Sequence, residues 1–201
     1  MTFSFATSII VSQAFRYLEL SPPSSFGDDS EKARDTVEMF PIAMRSCLAA
    51  SDWSFASNLV NLPPRNELPT GAADEQRLPY IFSLPGDFIT MQDVGDGDVK
   101  FRIDAGNLLR ADDPGPLRIR YTRLVTDEAI LPADFQDAVA LRLACYLGNR
   151  DIGTTSKLDR LEQLANMRLQ LAERRDARSA SSQRYDGRED DDGMWADWVR
   201  Q

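Results

Sequence analysis

The chain contains no histidine in 201 residues. That removes the commonest general base at neutral pH and the commonest metal ligand. Serine and cysteine triads that depend on histidine are excluded, while catalysis by carboxylate, lysine or tyrosine stays open. Cysteine is scarce, with two residues in all, too few for a disulfide framework in a chain of this length. Cys47 and Cys145 each fall in an apolar helical stretch. Both are expected to be buried, reduced thiols, and a bridge between two helices stays open. No apolar run is long enough to cross a bilayer, so no membrane association is expected. The mildly apolar first residues lack the Lys or Arg that a signal peptide carries, so synthesis and retention in a reducing cytoplasm are expected. Positive charge is also short: 23 Lys and Arg against 32 Asp and Glu give a net charge of −9. A protein that grips nucleic acid by its phosphates needs clustered cations. An acidic chain suits a surface that repels DNA or stays soluble at high concentration.

Apolar residues make up 42% of the chain, enough to bury a core. Residues 7–20 read as a first helix, with Ala6, Ile10, Ala14, Tyr17 and Leu18 on one face. Ser21-Pro22-Pro23 stops it, because proline has no N–H to continue the ladder. Asp28, Asp29 and Ser30 are good caps for a second helix, and Glu31 suits the positive end of its dipole. Its apolar stripe is Ala33, Val37, Phe40, Met44 and Cys47. Pro41 should kink or split this helix. A bend is expected, because the stripe resumes in phase.

Residues 61–79 read as a long, proline-rich loop. The period then changes to two. Residues 78–84 and 88–94 read as strands. Val99, Phe101 and Ile103 alternate with Lys100, Arg102 and Asp104, and Leu117, Ile119 and Tyr121 alternate with Arg118, Arg120 and Thr122. Alternation predicts one buried and one wet face on each strand. Asp96-Gly97 is read as a hairpin turn and residues 112–116 as a second turn. The middle of the chain is therefore predicted to be one small antiparallel sheet.

Helix returns at Pro132, with Phe135, Val139, Leu143 and Leu147 at spacings of four, and Gly148 as the expected stop. A long last helix opens at Ser156. Leu158, Leu161, Ala165, Leu169 and Ala172 form its stripe, and Leu164, Met167 and Leu171 widen the apolar arc. A helix apolar on two sides is expected to touch two neighbours, within the subunit or across a subunit boundary. Beyond Ala172 the chain becomes polar, then acidic, and ends with tryptophans, a composition that does not fold alone. The expected class is α+β: a bundle of about four helices with a small antiparallel β module between the second and third, and an extended C-terminal tail. The divisions are residues 1–60 and 132–178 for the two helical parts, 61–131 for the loop and β module, and 179–201 for the tail.

No catalytic, metal-binding or cofactor-binding residue emerges. There is no glycine-rich phosphate loop, metal-ligand spacing or nucleophile elbow. Asp93, Asp96 and Asp98 miss the spacing of a calcium loop, and Asp190, Asp191 and Asp192 read as a solvated run. Trp53 and Phe55 are expected to pack in the core with Phe135, Val139, Leu143 and Leu147. Tyr185, Met194, Trp195, Trp198 and Val199 form a candidate docking segment, since tryptophan is enriched at binding hot spots.

Six stretches in order resemble the tail tubular protein A, or head-to-tail adaptor, family of tailed bacteriophages. They are residues 26–33 (FGDDSEKA), 51–56 (SDWSFA), 79–94 (PYIFSLPGDFITMQDV), 101–109 (FRIDAGNLL), 119–127 (IRYTRLVTD) and 132–147 (PADFQDAVALRLACYL). The likeness spans residues 9–171 and leaves out the acidic, aromatic end. It implies a helical bundle with an inserted β module, and a homo-oligomeric ring of about twelve copies under the portal protein, in the virion neck. It implies no enzymatic activity and no cofactor. The expected partners are the portal and the next tail component (nozzle, stopper or tail tube), with DNA passing through the lumen without specific binding. A stopper, tail-completion protein or small scaffold makes similar demands on sequence and is the alternative. A carboxylate-only hydrolase of the cell wall is the enzymatic one.

Overall fold

The computed structural model describes residues 8–23, 30–65, 76–95, 97–151 and 155–179. Among the described residues, four helices and two three-stranded antiparallel sheets make an α+β fold, with the strands falling between the second and third helices.

Helix α1, Ile9–Tyr17, starts where the Ser8 hydroxyl accepts the Val11 N–H at 3.1 Å. It ends before the prolines are reached. Glu19 takes a left-handed conformation (φ 62°), and the Glu19 and Leu20 N–H groups donate to the Arg16 and Phe15 carbonyls. This is a Schellman closure, which satisfies the last carbonyls and stops the helix short of the predicted Leu20. Helix α2, Glu31–Leu48, is capped by Ser30 Oγ, which accepts from the Ala33 N–H at 3.2 Å. Pro41 lies inside one helix, which is not split there. Phe40, Ala43 and Met44 on both sides of it are buried, and that packing compensates the lost backbone bond. Val37, placed by periodicity in the buried stripe, is instead 44% exposed.

Helix α3, Ala133–Asp151, is the centre of the bundle, with α1, α2 and α4 each packed against it. Phe135, Ala138, Val139, Ala140, Leu141, Leu143, Ala144, Cys145 and Leu147 are buried, so it is apolar almost all round. Gly148 does not end it. Glycine costs only about 1 kcal/mol inside a helix, and burial at this position outweighs that. Helix α4, Thr155–Ser179, continues past Ala172 into the arginine-rich stretch. Tertiary bonds hold that extension. Asp134 pairs with Arg175, and Asp176 accepts the Ser54 N–H at 2.8 Å and its hydroxyl at 2.6 Å.

The strands are β1 Ser57–Leu62, β2 Tyr80–Ser83, β3 Phe88–Val94, β4 Phe101–Asp104, β5 Leu108–Ala111 and β6 Leu117–Arg123. They form two sheets in the orders β1-β6-β3 and β2-β5-β4, where the sequence predicted one. β1 runs from the end of the expected first helical part, residues 1–60, into the start of the expected loop, and β5 was not foreseen. β3 and β4 belong to different sheets, so the segment at Gly97 is a crossing between sheets and not the expected hairpin. The hairpin that does form joins β4 to β5 through Gly106 and Asn107, both at positive φ.

A second core of Leu62, Phe82, Leu84, Val94, Leu109, Ala111, Leu117, Ile119 and Tyr121 unites the two sheets. Ile89, Leu124 and Val125 join the module to the helical core. Alternation misleads on β4. Phe101 and Ile103 stand opposite Ala111 and Leu109 in register, yet are 43% and 42% exposed. β4 is an edge strand, beyond the cover that buries its neighbour β5. On the other face Asp104 accepts from Arg102 and from the buried Arg110, each at 2.8 Å.

The Arg102 hydrogen bond, the largest influence, holds the Asp104 carboxyl below its ordinary value; burial opposes it, and the Arg110 hydrogen bond adds to the lowering. A depressed folded-state pKa contributes stability that is present above about pH 4 and lost as pH falls through the folded value. Asp104→Asn is therefore expected to flatten the acid limb of a stability–pH curve below about pH 4. Parallel acid unfolding curves for the variant and the parent would refute this.

Candidate interaction surfaces

Trp53, Phe135, Val139 and Leu143 are fully buried, Leu147 nearly so and Phe55 partly. The Trp53, Phe55 and Phe135 rings form one cluster: Phe135 meets both others edge-on, with centroids 4.9 Å apart in each pair. These residues are scaffold. The candidate docking residues Tyr185, Met194, Trp195, Trp198 and Val199 lie outside the described residues, as do Asp190, Asp191 and Asp192.

Among the described residues no group of three His, Cys, Asp or Glu side chains stands close enough to hold a metal ion, and no helix is long and apolar enough to cross a membrane. Burial pushes the Cys47 thiol up to about 12 and the Cys145 thiol up to about 11. Each thiolate raises the cost of the other or feels Arg142 nearby, so the two sit in one region of the bundle, as free thiols. Such thiols are inert. An open cavity of about 560 Å³ between the end of α1 and the start of α4 is lined by Glu19, Lys157, Arg160, Leu161 and Leu164, and a Lys157–Glu19 ion pair at 3.2 Å spans it.

Polar ties fix which side of α4 faces inward. The Tyr17 hydroxyl donates to Asp137 at 2.5 Å, and Arg168 pairs with Asp137 at 3.4 Å. Burial and the Asp137 hydrogen bond push the Tyr17 phenol up to about 12, so this link between α1 and α3 persists across the physiological range. With Leu161, Ala165 and Ala172 turned to the core, α4 shows a second arc outward. Arg160, Leu164, Met167, Leu171, Arg174 and Arg178 follow one another at spacings of four, three, four, three and four. That repeat places them in one row along the helix. Met167 is 60% exposed, while Leu164 and Leu171 are half-buried, Leu164 packing partly against the helical core. The arc was legible in the sequence as the widened apolar face. Its three arginines were not singled out there, although the same spacing marks them.

On the opposite character, α2 carries Glu31, Asp35, Glu38, Ile42 and Arg45 at spacings of four, three, four and three. Ile42 is 51% exposed on this otherwise charged row. The β4 edge, with Phe101 and Ile103, is a third exposed apolar feature, and Tyr80 lies in the same register row as Phe101.

No family model and no curated protein matches the chain.

Proposed function

We propose that the chain is a structural subunit of a ring that joins the DNA-filled head of a tailed bacteriophage to its tail. The ring binds beneath the portal protein, holds about twelve copies, the number that the resemblance implies, and works without catalysis. The observation that carries this reading is the order of elements. A β module with its own core interrupts a four-helix bundle between α2 and α3, which is the arrangement that the resemblance of residues 9–171 to head-to-tail adaptors implies. Exposed apolar rows on α4 and β4 supply surfaces for neighbours. The mechanism is geometric: subunits bury helix faces against one another and leave a channel. The net charge of −9 keeps the wall from sticking to phosphates as DNA passes.

Residues 185–201 are proposed to reach the portal, with Trp195 and Trp198 as anchors. Two buried tryptophans contribute several kcal/mol at ~25 cal/mol per Å², less the cost of ordering the chain. The acidic run before them speeds encounter with a basic partner surface more than it strengthens the final complex. In analytical ultracentrifugation with portal rings, the full chain is expected to co-sediment as a ring. Deletion of residues 185–201 is expected to leave the subunit folded and to weaken that attachment, with Trp195→Ala plus Trp198→Ala doing most of the same damage. Free monomer in the presence of portal would overturn the function. Normal attachment of the truncated chain would overturn the role of the tail alone. A ring that forms on a tail component but never on the portal would favour a stopper.

A further inference from the structure

We infer that the subunits join head to tail through the outer row of α4 on one copy and the outer row of α2 on the next, packed antiparallel. The inference rests on the ring reading and names the two faces that make it.

Three observations carry it. First, the two rows have matching spacing. Laid antiparallel, Arg178 meets Glu31, Arg174 meets Asp35, Leu171 lies over Glu38, Met167 meets Ile42 and Leu164 lies over Arg45. The four-and-three repeat keeps every pair in step over about four turns, the geometry of interlocking helices. Second, the rows are complementary in charge. The arginine-rich C-terminal half of α4 meets the acidic start of α2. Third, Met167 and Ile42 are the most exposed large apolar side chains on these two helices, at 60% and 51%, and the register brings them together at its centre. The aliphatic stems of Glu38 and Arg45 cover the two leucines on either side while their charges stay in water.

The charges disfavour the simplest alternative. Pairing the α4 row with a second α4 row in antiparallel fashion would set Arg160 against Arg178 and Arg174 against Leu164, and would give a two-fold dimer. The two rows inferred here sit on different helices, both packed against α3. A contact that uses two different faces of one subunit is heterologous, and repeated it closes into a ring or runs on as a filament.

Cross-linking tests this in the full-length chain. Met167→Cys and Ile42→Cys replace exposed side chains, so both variants are expected to fold, which circular dichroism checks against the parent. Cys47 and Cys145 are buried with thiols pushed up to about 12 and about 11, so they stay silent to a short bis-maleimide in the folded protein. A mixture of the two single variants, at high concentration or with portal rings, is expected to give a covalent dimer that neither variant gives alone. The chain with both changes is expected to give a ladder of trimers and longer products. Arg174→Glu with Arg178→Glu in the Met167→Cys background is expected to slow the mixed cross-link at least about tenfold, and added salt to slow the parent reaction. A dimer from Met167→Cys alone would show that α4 pairs with itself and overturn the inference. Absence of the mixed dimer while a native ring still sediments would overturn it too and leave the adaptor reading standing. Absence of both cross-link and ring would overturn both.

Discussion

Trp53→Ala is expected to lower the free energy of unfolding by about 3–5 kcal/mol, the range for emptying a buried tryptophan site. Trp53 is 1% exposed and follows the end of α2. Its indole N–H donates to the Cys47 carbonyl at 2.9 Å, in the last turn of that helix, where carbonyls lack partners within the helix. The ring also packs edge-on against Phe135 of α3, and Phe55 closes the cluster. Alanine therefore removes apolar burial, an aromatic contact and a hydrogen bond together. Neighbours on the central helix cannot collapse into the space without disturbing the packing of α1, α2 and α4 on it. In a chain of this size the loss corresponds to a fall in melting temperature on the order of 10 °C. Trp53→Phe keeps two of the three effects and should lose less. A fall below about 1 kcal/mol in urea unfolding for the alanine variant would show that this cluster does not hold the bundle together.

Gly115→Ala should be nearly as damaging, although it adds one methyl group. Gly115 sits at φ +79°, where an L side chain costs about 1–2 kcal/mol. An added Cβ would stand 2.8 Å from a ring carbon of Phe82 and 3.0 Å from the Leu117 backbone nitrogen. Phe82 is fully buried in the second core and Leu117 opens β6, so neither can move aside cheaply. Overpacking of this kind adds about 1–3 kcal/mol. Gly106 is the control. It has the same φ of +79° but nothing within 4 Å of an added Cβ. Gly106→Ala should therefore lose only the backbone part. Thermal unfolding of both variants separates the two effects, and equal losses would show that crowding at Gly115 plays no part.

Local chemistry carried much of the fold. The serine cap at Ser30 marked where α2 begins, because an unpaired N–H in the first turn needs an acceptor within three residues. Apolar positions three and four apart announced all four helices. Alternation found β3, β4 and β6 and the strand at 80–83. The row on α4 was also visible as a second apolar arc, and only its arginines and its acidic counterpart on α2 went unmarked. These signals depend on neighbours within about one or two turns, so the chain alone states them.

Other features depend on residues far apart in the chain. β1, with a half-exposed pattern and no clean alternation, exists because β6 bonds it, with Ser57 opposite Thr122 and Leu62 opposite Leu117. Gly148 looked like a stop until burial inside the bundle outweighed its weak propensity. Phe101 and Ile103 looked buried because period two tells which face a residue takes but not whether that face is covered. Coverage is set by strand order, and β4 lies at an edge. The choice of α3 as the centre has the same origin. Only α4 read as apolar on two sides, yet the packing of three helices on α3 makes α3 the buried one, while the outer row of α4 stays partly exposed. What the sequence by itself determined here is where the helices and three or four of the strands lie and which face of each is apolar, since both follow from short-range sterics and hydrogen bonding. Which of those faces meet was decided by the tertiary structure, because burial is a property of the surfaces that distant segments bring together.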